Sequence, residues 1–345
     1  MRERVERLQA VIEEPLLVSN PVNLRYLCGL DSTNAALLVE RDRVQLLTDF
    51  RYADRARAIR GVETVETRRD LYGDLADRLS GRIGFEADSL TYARYEALAA
   101  AGIELAARHG LVEQLREVKD SAELAAMRRS AAILTEAFAR LAEEPFVGRS
   151  ERDLVWRMAE LMHEGGADDA AFSTAVGAGE TGSSPHAAPG DRRIEVGETV
   201  VVDAGCRVNG YCSDCTRTFI TGQLPAELEE AYTVVLRAQL ASLAAVVPEA
   251  DGKAVDRVAR ELIEDAGFGD RSGHGLGHGV GLEVHEAPWL HPERESTLAA
   301  GNVVTIEPGI YLPGLGGVRI EDMVIVTDDG PEVLTTFTKE PVTVN

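Results

Sequence analysis

Two aspartates in a predicted β-hairpin are the first residues of this sequence that could do chemistry together. Asn209-Gly210 separates two strand-like runs, and Asn-Gly in this setting is the strongest short-range signal for a tight hairpin turn. With these two residues as the turn, Asp203 pairs with Thr216, and Asp214 points to the same face as Thr216. Neighbouring carboxylates repel, which raises the pKa of one of them unless a cation lies between them. The hairpin therefore indicates a metal site; the alternative is a bulged hairpin with one aspartate facing solvent.

A second pair of carboxylates follows the same plan near the C-terminal end of the sequence. Glu307 follows Val304-Thr-Ile, and Glu321 follows Gly317-Val-Arg-Ile, in two strand-like runs joined by a connection rich in Gly and Pro. Glutamate has a low strand propensity, and a buried carboxylate needs a partner. Alone, each would be a surface residue at a strand edge. Two hairpins that each offer two carboxylates predict a shared site.

A glycine-rich segment between the hairpins carries His274, His278 and His285. Its alternating glycines exclude a stable helix, so His274 and His278 are not a helical ligand pair one turn apart. A backbone poor in side chains can instead approach a ligand or metal closely. A single histidine here would be an ordinary core or surface residue, whereas three of the chain's seven within 12 residues favour a functional role. The remaining histidines are His186, in a polar loop, and His109, His163 and His291, which we interpret as ordinary residues.

Four carboxylates and one imidazole form a hard, oxygen-rich ligand set. Such a set suits Mn²⁺, Co²⁺ or Fe²⁺ better than a structural Zn²⁺. Its four formal negative charges are balanced by two divalent ions. A pair of ions bridged by carboxylates activates water as a nucleophile and polarises a carbonyl group. The other histidines could then stabilise an oxyanion or give a proton to a leaving nitrogen.

Two further motifs are rejected as sites. Cys212-Ser-Asp-Cys215 matches C-x-x-C, but no second cysteine pair completes a zinc site, and the motif lies in a strand-like run rather than at a helix start, where redox pairs lie. The segment from Gly177 to Gly182 fits G-x-G-x-x-G, but Pro185 and the lack of a following helix argue against a dinucleotide turn, and Glu180 would repel a pyrophosphate.

Composition excludes several classes of partner. The chain has 345 residues, with 58 acidic and 36 basic side chains and a formal net charge of −22. Nucleic acids and anionic membrane surfaces require clustered positive charge, so neither is an expected partner. The acidic excess is either a solubility feature or a salt-tolerant surface. No uncharged apolar run approaches the ~18 residues of a membrane helix, and the first residues do not read as a signal peptide, which predicts a cytoplasmic protein.

The predicted helices and strands along the sequence indicate two domains. Residues 1–118 read as a smaller α/β domain that opens with an amphipathic helix, Arg2 to Glu13. Residues 119–345 read as an α+β domain of antiparallel strands with helices on one face. Caps at Asp120 or Ser121 and at Ser150 predict helix starts, and further helices are expected over about 225–247 and 252–266. The strand segments are 199–207, 211–218, 303–310 and 318–326.

Taken together, the motifs resemble the metallopeptidase family of aminopeptidase P and prolidase, across the whole chain. Asn23-Leu-Arg-Tyr-Leu-Cys-Gly is similar to the family's small N-terminal creatinase-type domain, and Leu115-Arg-Glu-Val-Lys119 to its linker. The resemblance implies the pita-bread fold for the catalytic domain. It also implies a homodimer.

The resemblance assigns the metal ligands residue by residue. Asp203 and Asp214 would hold one ion, with Asp214 bridging. His278, Glu307 and Glu321 would complete the second site, with Glu321 also bridging. All five ligands are present, which distinguishes the chain from the metal-free creatinases of similar fold. The implied cofactor is a pair of divalent ions, Mn²⁺ first, with Co²⁺, Fe²⁺ or Zn²⁺ as alternatives.

The resemblance also assigns the surrounding residues. Glu307 is similar to the family's proton-shuttling glutamate, and Thr216 would hydrogen-bond behind the ligands. The residues that match the family's side chains around the substrate or beside the bridging glutamate are His186, His274, His285 and Arg319.

The implied reaction is hydrolysis of the bond between an N-terminal residue and proline, in a small peptide with proline second. Short prolidases often carry an arginine four residues after the last motif histidine, where it could meet a dipeptide's carboxylate. This chain has Trp289 there, with His291 and Arg294 as substitutes, so aminopeptidase and dipeptidase activity both stay open. Two other classes are also open: a metallohydrolase or lyase that acts on a non-peptide small molecule, and a catalytically silent peptide-binding module.

Overall fold

The computed structural model describes residues 2–186 and 188–345. The chain forms two compact units that divide between Arg116 and Glu117.

The first unit is a mixed sheet flanked by short helices. Its strands are β1 (Leu16–Val18), β2 (Ala35–Val39), β3 (Val44–Asp49), β4 (Glu63–Thr67), β5 (Arg82–Glu86) and β6 (Glu104–Arg108). They lie in the order β4-β3-β2-β1-β5-β6. The helices are α1 (Arg2–Gln9), α2 (Pro21–Cys28), α3 (Ala53–Arg57), α4 (Leu71–Arg78), α5 (Tyr92–Ala100) and α6 (Leu111–Glu117), the last of which reaches the division between the units.

The opening helix α1 is shorter than predicted. It ends at Gln9 rather than Glu13. The backbone leaves the helix through a tight turn at Val11, whose N–H donates to the Leu8 carbonyl at 3.1 Å. Pro15 disfavours helical geometry at the residue before it, so the chain cannot extend the helix into β1.

The second unit contains four long helices, α7 (Ser121–Leu141), α8 (Glu151–Glu164), α9 (Ala226–Ala244) and α10 (Gly252–Asp265). Capping boxes start two of them, as predicted. Asp120 accepts from the backbone of Glu123, whose side chain accepts from the N–H of Asp120. Ser150 and Asp153 exchange the same pair of hydrogen bonds before α8. Each box satisfies backbone donors that a helix start leaves free.

The strands of this unit are mostly antiparallel. They are β7 (Asp169–Ala170), β8 (Ala175–Ala178), β9 (Thr199–Ala204), β10 (Cys206–Val208), β11 (Tyr211–Cys212), β12 (Cys215–Ile220), β13 (Gly277–Gly279), β14 (Glu286–Leu290), β15 (Val303–Ile306), β16 (Gly309–Leu312), β17 (Gly316–Arg319), β18 (Asp322–Ile325), β19 (Glu332–Val333) and β20 (Val342–Thr343). The two larger sheets have the orders β20-β12-β9-β8 and β14-β13-β15-β18-β19. Helices and antiparallel strands together match the α+β prediction.

Each larger sheet is covered by its own pair of helices. Buried side chains of α7 and α8 pack with β8, β9 and β12, where Phe138, Phe146 and Phe219 form a cluster of rings with centroids 5.1–6.4 Å apart. Buried side chains of α9 and α10 pack with β15 to β18. The sheet faces away from these helices are left for the site.

Arg217 on β12 fastens the C-terminal segment to the middle of the unit. Its side chain is 2% exposed and forms an ion pair with Asp322 at 2.7 Å. It also donates to the carbonyls of Thr335, Phe337 and Thr338 at 3.0, 2.6 and 2.9 Å. A buried guanidinium requires this many acceptors, since each unpaired donor would carry a desolvation penalty.

None of the helices in the described part of the chain combines the length and apolar character that a membrane span requires.

Candidate metal centre

The first hairpin has the register that the sequence predicts. Asn209 and Gly210 both have positive φ, 52° and 84°, as a type I′ turn requires. Val208 pairs with Tyr211, and Asp203 pairs with Thr216. The predicted pairing is therefore confirmed.

The ladder of this hairpin is interrupted where Asp214 lies. The pairs on either side, Ala204 with Cys215 and Arg207 with Cys212, keep one register, so Asp214 lies opposite Gly205 in the gap. A Cβ atom on Gly205 would lie 2.2 Å from the Ser213 carbonyl oxygen. Glycine thus lets the two backbones close in at the point where the carboxylate leaves the strand.

The second hairpin is interrupted in the same way. Ile306 pairs with Asp322 and Gly309 pairs with Arg319 in one register, which leaves Glu307 opposite Glu321 in a two-residue gap. Both glutamates were predicted within strands; instead they lie just outside them. The gap lets each side chain turn into the site without disturbing the strand pairing on either side.

Hydrogen bonds hold the two hairpins side by side. The Glu321 N–H donates to the Thr216 carbonyl at 3.1 Å, and the Thr216 hydroxyl donates to Glu321 Oε2 at 2.8 Å. The Thr218 hydroxyl donates to the carbonyl of Arg319 at 2.8 Å. As a result, carboxylates from both hairpins converge.

His278 enters from β13 between two glycines. A Cβ atom on Gly277 would lie 2.0 Å from the Thr305 carbonyl oxygen, so β13 packs closer than any side chain would permit. The Nδ1 atom of His278 lies 3.1 Å from the Gly279 carbonyl oxygen, which can only accept a hydrogen bond. Nδ1 therefore carries the proton in the neutral ring, and the Nε2 lone pair points to the carboxylates, 3.2 Å from Glu307 Oε1.

Three residues form the tightest candidate cluster for a metal ion. Asp214, His278 and Glu321 each offer a ligand atom, and these atoms lie within 4.8 Å of one another. Asp203 and Glu307 border the same space. Among the described residues, Asp203 Oδ1 and Glu321 Oε1 are buried without a hydrogen-bond partner. Buried carboxylate oxygens that lack donors are what a divalent cation would satisfy, so the residues present fit a metal centre.

The electrostatics of the cluster also fit a cation. Burial raises the pKa of Asp214 well above its usual value, and the nearby Glu321 and Asp203 raise it further. Burial likewise raises the pKa of Glu321, with Glu307 and Asp203 adding to the effect. Glu307 differs: burial is outweighed by the hydrogen bond that a protonated His278 donates from Nε2, and the pKa of Glu307 falls to about 2. Positive charge is needed for all these carboxylates to be ionised together.

Arg319 organises one wall of the site. Its guanidinium donates to Asp203 Oδ2 at 2.8 Å, to the Thr216 hydroxyl at 3.1 Å and to the Tyr311 hydroxyl at 2.9 Å. Tyr311 in turn lies 3.0 Å from His274 Nε2. Because His274 Nδ1 faces the Gly275 carbonyl at 2.8 Å, a neutral His274 accepts from Tyr311 through Nε2.

Tyr311 was not among the predicted site residues. A signal was available, because strand alternation places Tyr311 on the face opposite to Ile310 and Leu312, which enter the core. A buried tyrosine on the other face, close in sequence to Glu307, needs a polar partner.

Every predicted site residue lines one cavity of about 630 Å³. The His285 ring packs against the His278 ring, tilted by 52° with centroids 4.2 Å apart, and burial together with His278 lowers the pKa of His285. His186 is exposed at the same cavity. His291, which was interpreted as an ordinary residue, also lines the cavity. Phe172 and Trp289 form an apolar part of the cavity wall.

The cysteines take no part in this centre. All four are free and buried. Burial raises the pKa of Cys212 to about 12, which makes its thiolate inaccessible near neutral pH. The rejection of a cysteine site agrees with this environment.

Comparisons with known proteins identify the family to which the chain is similar. Residues 125–328 match the model of metallopeptidase family M24, and residues 4–118 match the creatinase/prolidase N-terminal domain. The chain is 34% identical to an Xaa-Pro dipeptidase of Pyrococcus furiosus over 349 residues, 99% of both chains. A solved Xaa-Pro dipeptidase from Bacillus anthracis superposes with a TM-score of 0.95 at 35% identity and 99% coverage of both chains. An X-Pro aminopeptidase from Thermotoga maritima gives 0.89 at 31% identity, with 99% of this chain and 100% of that one covered.

Proposed function

Because this chain belongs to metallopeptidase family M24, we propose that it hydrolyses the bond between an N-terminal residue and a following proline. The observation that carries the proposal is the convergence of two interrupted hairpins and His278 on one cavity, with buried carboxylate oxygens that lack hydrogen bonds.

Family membership also settles the class of protein. The chain is a metallo-exopeptidase with a pita-bread catalytic domain and a creatinase-type N-terminal domain, as the sequence predicted.

Five side chains would hold two divalent ions, which we propose to be Mn²⁺. They are Asp203, Asp214, His278, Glu307 and Glu321. When bound, the ions supply an activated water and a Lewis acid for the scissile carbonyl.

The chain's own residues orient these ligands and handle protons. Arg319 and Thr216 fix Asp203 and Glu321 through the hydrogen bonds described above. Glu307 lines the same cavity, where its carboxylate can accept a proton and pass it to the departing proline nitrogen. His285 lies in the same cavity, where an imidazole N–H can stabilise negative charge on the carbonyl oxygen, and His274 in its neutral form holds Tyr311 in place.

Two further features of this proposal follow from the family and from composition. We propose that the enzyme is a cytoplasmic homodimer, and that its substrates are small peptides rather than folded proteins. A cavity of about 630 Å³ holds a few residues at most.

The test compares hydrolysis of Ala-Pro and Ala-Pro-Ala by chelated enzyme to which Mn²⁺, Co²⁺ or Zn²⁺ is added back. Asp214→Asn should lower turnover by a factor of a thousand or more and reduce bound metal, while the circular dichroism spectrum is unchanged. Asp328→Asn, in an exposed loop, is the matched control and should keep both metal and activity.

Any other outcome of this test would contradict part of the proposal or indicate a different function. Full activity in Asp214→Asn would contradict the metal assignment. A protein that binds metal but cleaves no Xaa-Pro peptide would be a hydrolase or lyase for a non-peptide molecule. A protein that binds no metal would be a silent peptide-binding module.

A further inference from the structure

An ion pair on helix α10 contacts the glycine-rich segment that carries His274. Asp256 is 2% exposed, and Arg260, one helical turn further along, donates to both of its carboxylate oxygens at 2.9 Å. Pairs with this spacing are common on helix surfaces, where they contribute little to stability. Because the carboxylate of this pair is buried, its contacts inside the unit decide what the pair does.

Each member of the pair binds the backbone of the segment. Asp256 Oδ1 accepts from the Leu276 N–H at 3.0 Å, and Arg260 Nη2 donates to the His274 carbonyl at 3.2 Å. The two hydrogen bonds lie on either side of Gly275. Neither side chain is among the described residues that line the metal-centre cavity, so the pair contacts the segment rather than a bound substrate.

The segment has few side chains that could fix its position. Glycines occupy alternate positions from Gly273 to Gly281, and glycine loses more backbone freedom on folding than any other residue. A Cβ atom on Gly275 would lie 2.5 Å from His291 Cδ2 and 3.0 Å from the Leu290 carbonyl oxygen, so the bare backbone packs closely against the neighbouring chain. Such a backbone needs hydrogen bonds from outside to keep one conformation, and α10 supplies two of them.

The hydrogen bond to Leu276 leads to a predicted metal ligand. The Leu276 carbonyl accepts from the Glu307 N–H at 2.8 Å, so Asp256 and Glu307 bind the N–H and the carbonyl of one residue. The Leu276 side chain is buried in the core that α10 shares with β15 to β18. A shift of Leu276 away from α10 would therefore move the backbone that supports Glu307.

The hydrogen bond to His274 leads to Arg319. The His274 ring lies 3.0 Å from the Tyr311 hydroxyl, which accepts from Arg319 at 2.9 Å. Arg260 holds the backbone of the residue whose ring makes this contact. Without the guanidinium, the His274 backbone loses this link to α10, and its ring is less firmly held beside Tyr311.

Helix α10 is itself fixed to the sheet that carries His278. The Gly252 N–H donates to the Ser296 carbonyl at 2.9 Å, and a Cβ atom on Gly252 would lie 2.3 Å from the Trp289 carbonyl oxygen. Trp289 pairs with His278 across β13 and β14. The start of the helix is thus attached to the strand next to the metal centre, and the helix can hold the segment at a set distance.

We propose that Asp256 and Arg260 are positioning residues: they hold the glycine-rich segment where its residues support Tyr311 and Glu307. This inference rests on the proposed function, because the pair would serve the reaction proposed there. It adds two residues outside the cavity to those on which turnover depends. A displacement of about 1 Å near the reacting groups can lower a rate about a hundredfold, so loss of the pair should lower kcat.

The kinetic test replaces the pair without leaving a buried charge unpaired. In the double variant Asp256→Asn with Arg260→Leu, the asparagine can still accept from Leu276, while the link to His274 is lost. We expect kcat for Ala-Pro to fall about ten- to a hundredfold in the metal-saturated enzyme, with KM nearly unchanged. Arg260→Lys keeps a donor and should recover part of kcat.

The matched control is the pair of Asp74 and Arg78 on α4. It has the same residue types, the same spacing and a buried aspartate, and it lies in the first unit. Asp74→Asn with Arg78→Leu should keep kcat, whatever its effect on the unfolding temperature.

A second measurement needs no turnover. In protein with isotope-labelled histidines, nuclear magnetic resonance reports the ring of His274, whose signal is identified by its loss in His274→Gln. That signal should shift in the double variant of α10, return toward its original position in Arg260→Lys, and stay in place in the control.

The outcomes separate this inference from the proposed function. A folded double variant with unchanged kcat and an unchanged His274 signal would show that the pair is only structural and would overturn the inference, as would equal losses of kcat in the control. If the double variant does not fold, the same comparison is made with Arg260→Lys. A protein that cleaves no Xaa-Pro peptide would contradict the proposed function, whereas a His274 signal that shifts in the α10 variant alone would still support the positioning role.

Discussion

At the scale of single residues, the site depends on donors that each serve more than one partner. Arg319 donates hydrogen bonds to a predicted metal ligand, Asp203, and to the hydroxyls of Thr216 and Tyr311. The Thr216 hydroxyl in turn donates to Glu321. A ligand held in this way keeps its orientation whether or not a cation is present. The residues behind the ligands are therefore as decisive for geometry as the ligands themselves.

Tyr311→Phe tests this network. The change leaves Arg319 Nη1 and His274 Nε2 without their shared partner, and an unsatisfied buried donor costs about 1–3 kcal/mol. We expect kcat for Ala-Pro to fall about tenfold or more in the metal-saturated enzyme. Steady-state kinetics and thermal unfolding are measured together.

Tyr232→Phe is the control for Tyr311→Phe, because it removes a buried hydroxyl outside the cavity. That hydroxyl donates to the Lys339 carbonyl at 2.9 Å. The control should lower the unfolding temperature and keep kcat. Equal kcat values in the two variants would show that Tyr311 is structural only.

At the scale of elements, the two hairpins use the same device. Each keeps one register through a two-residue gap, and a carboxylate leaves the strand inside the gap. The gap frees the backbone to aim the side chain, while the paired segments on both sides hold its ends. The strands thus supply Asp203 and His278 directly, and the gaps between paired segments supply Asp214, Glu307 and Glu321.

Gly205→Ala tests the first gap. The new Cβ atom would lie 2.2 Å from the Ser213 carbonyl oxygen, so the strands must separate where Asp214 projects. We expect a loss of about 1–3 kcal/mol in the free energy of unfolding, together with weaker metal binding. Denaturant unfolding and metal titration measure the two effects.

Gly190→Ala is the matched substitution, because its Cβ atom would come no closer than 3.7 Å to any neighbour. It should change neither quantity. A Gly205→Ala protein as stable as Gly190→Ala would mean that the gap is wider than described.

The turn of the first hairpin could be predicted from the sequence, whereas the gaps in the two hairpins could not. Asn209-Gly210 fixed the pairing of Asp203 with Thr216, because turn chemistry and alternation are local properties. The gaps were not predictable, because a break in a ladder depends on the neighbouring hairpin. The contact of Arg294 with Trp289 was not predictable either. The guanidinium carbon lies 4.0 Å from the ring centroid, which requires the chain to reverse at Pro292 and pack on a strand residue five positions earlier.

At the scale of the whole molecule, the acidic excess predicts how stability responds to salt. The formal charge of −22 implies self-repulsion that salt will screen, whereas exposed ion pairs such as Arg2 with Glu6 contribute about 0–1 kcal/mol each. Fold class and domain order were predictable at this scale, because the motifs and the helix caps are spread along the chain.

Salt should therefore stabilise the metal-loaded protein. Raising NaCl from about 0.1 M to 1 M shortens the screening length from about 10 Å to about 3 Å and should raise Tm. Scanning calorimetry at constant free metal measures the shift, and sucrose at equal osmolality controls for solute exclusion. A fall in Tm with NaCl would mean that attractive pairs outweigh the net repulsion.

The attachment of Arg217 has a consequence for synthesis on the ribosome. The carbonyls of Phe337 and Thr338 that accept from this guanidinium lie about 120 residues further along the chain. Without those residues, Arg217 cannot be buried in β12, next to Thr216, with its full set of acceptors. The carboxylates beside Thr216 therefore reach their final arrangement only together with the segment that carries Phe337 and Thr338.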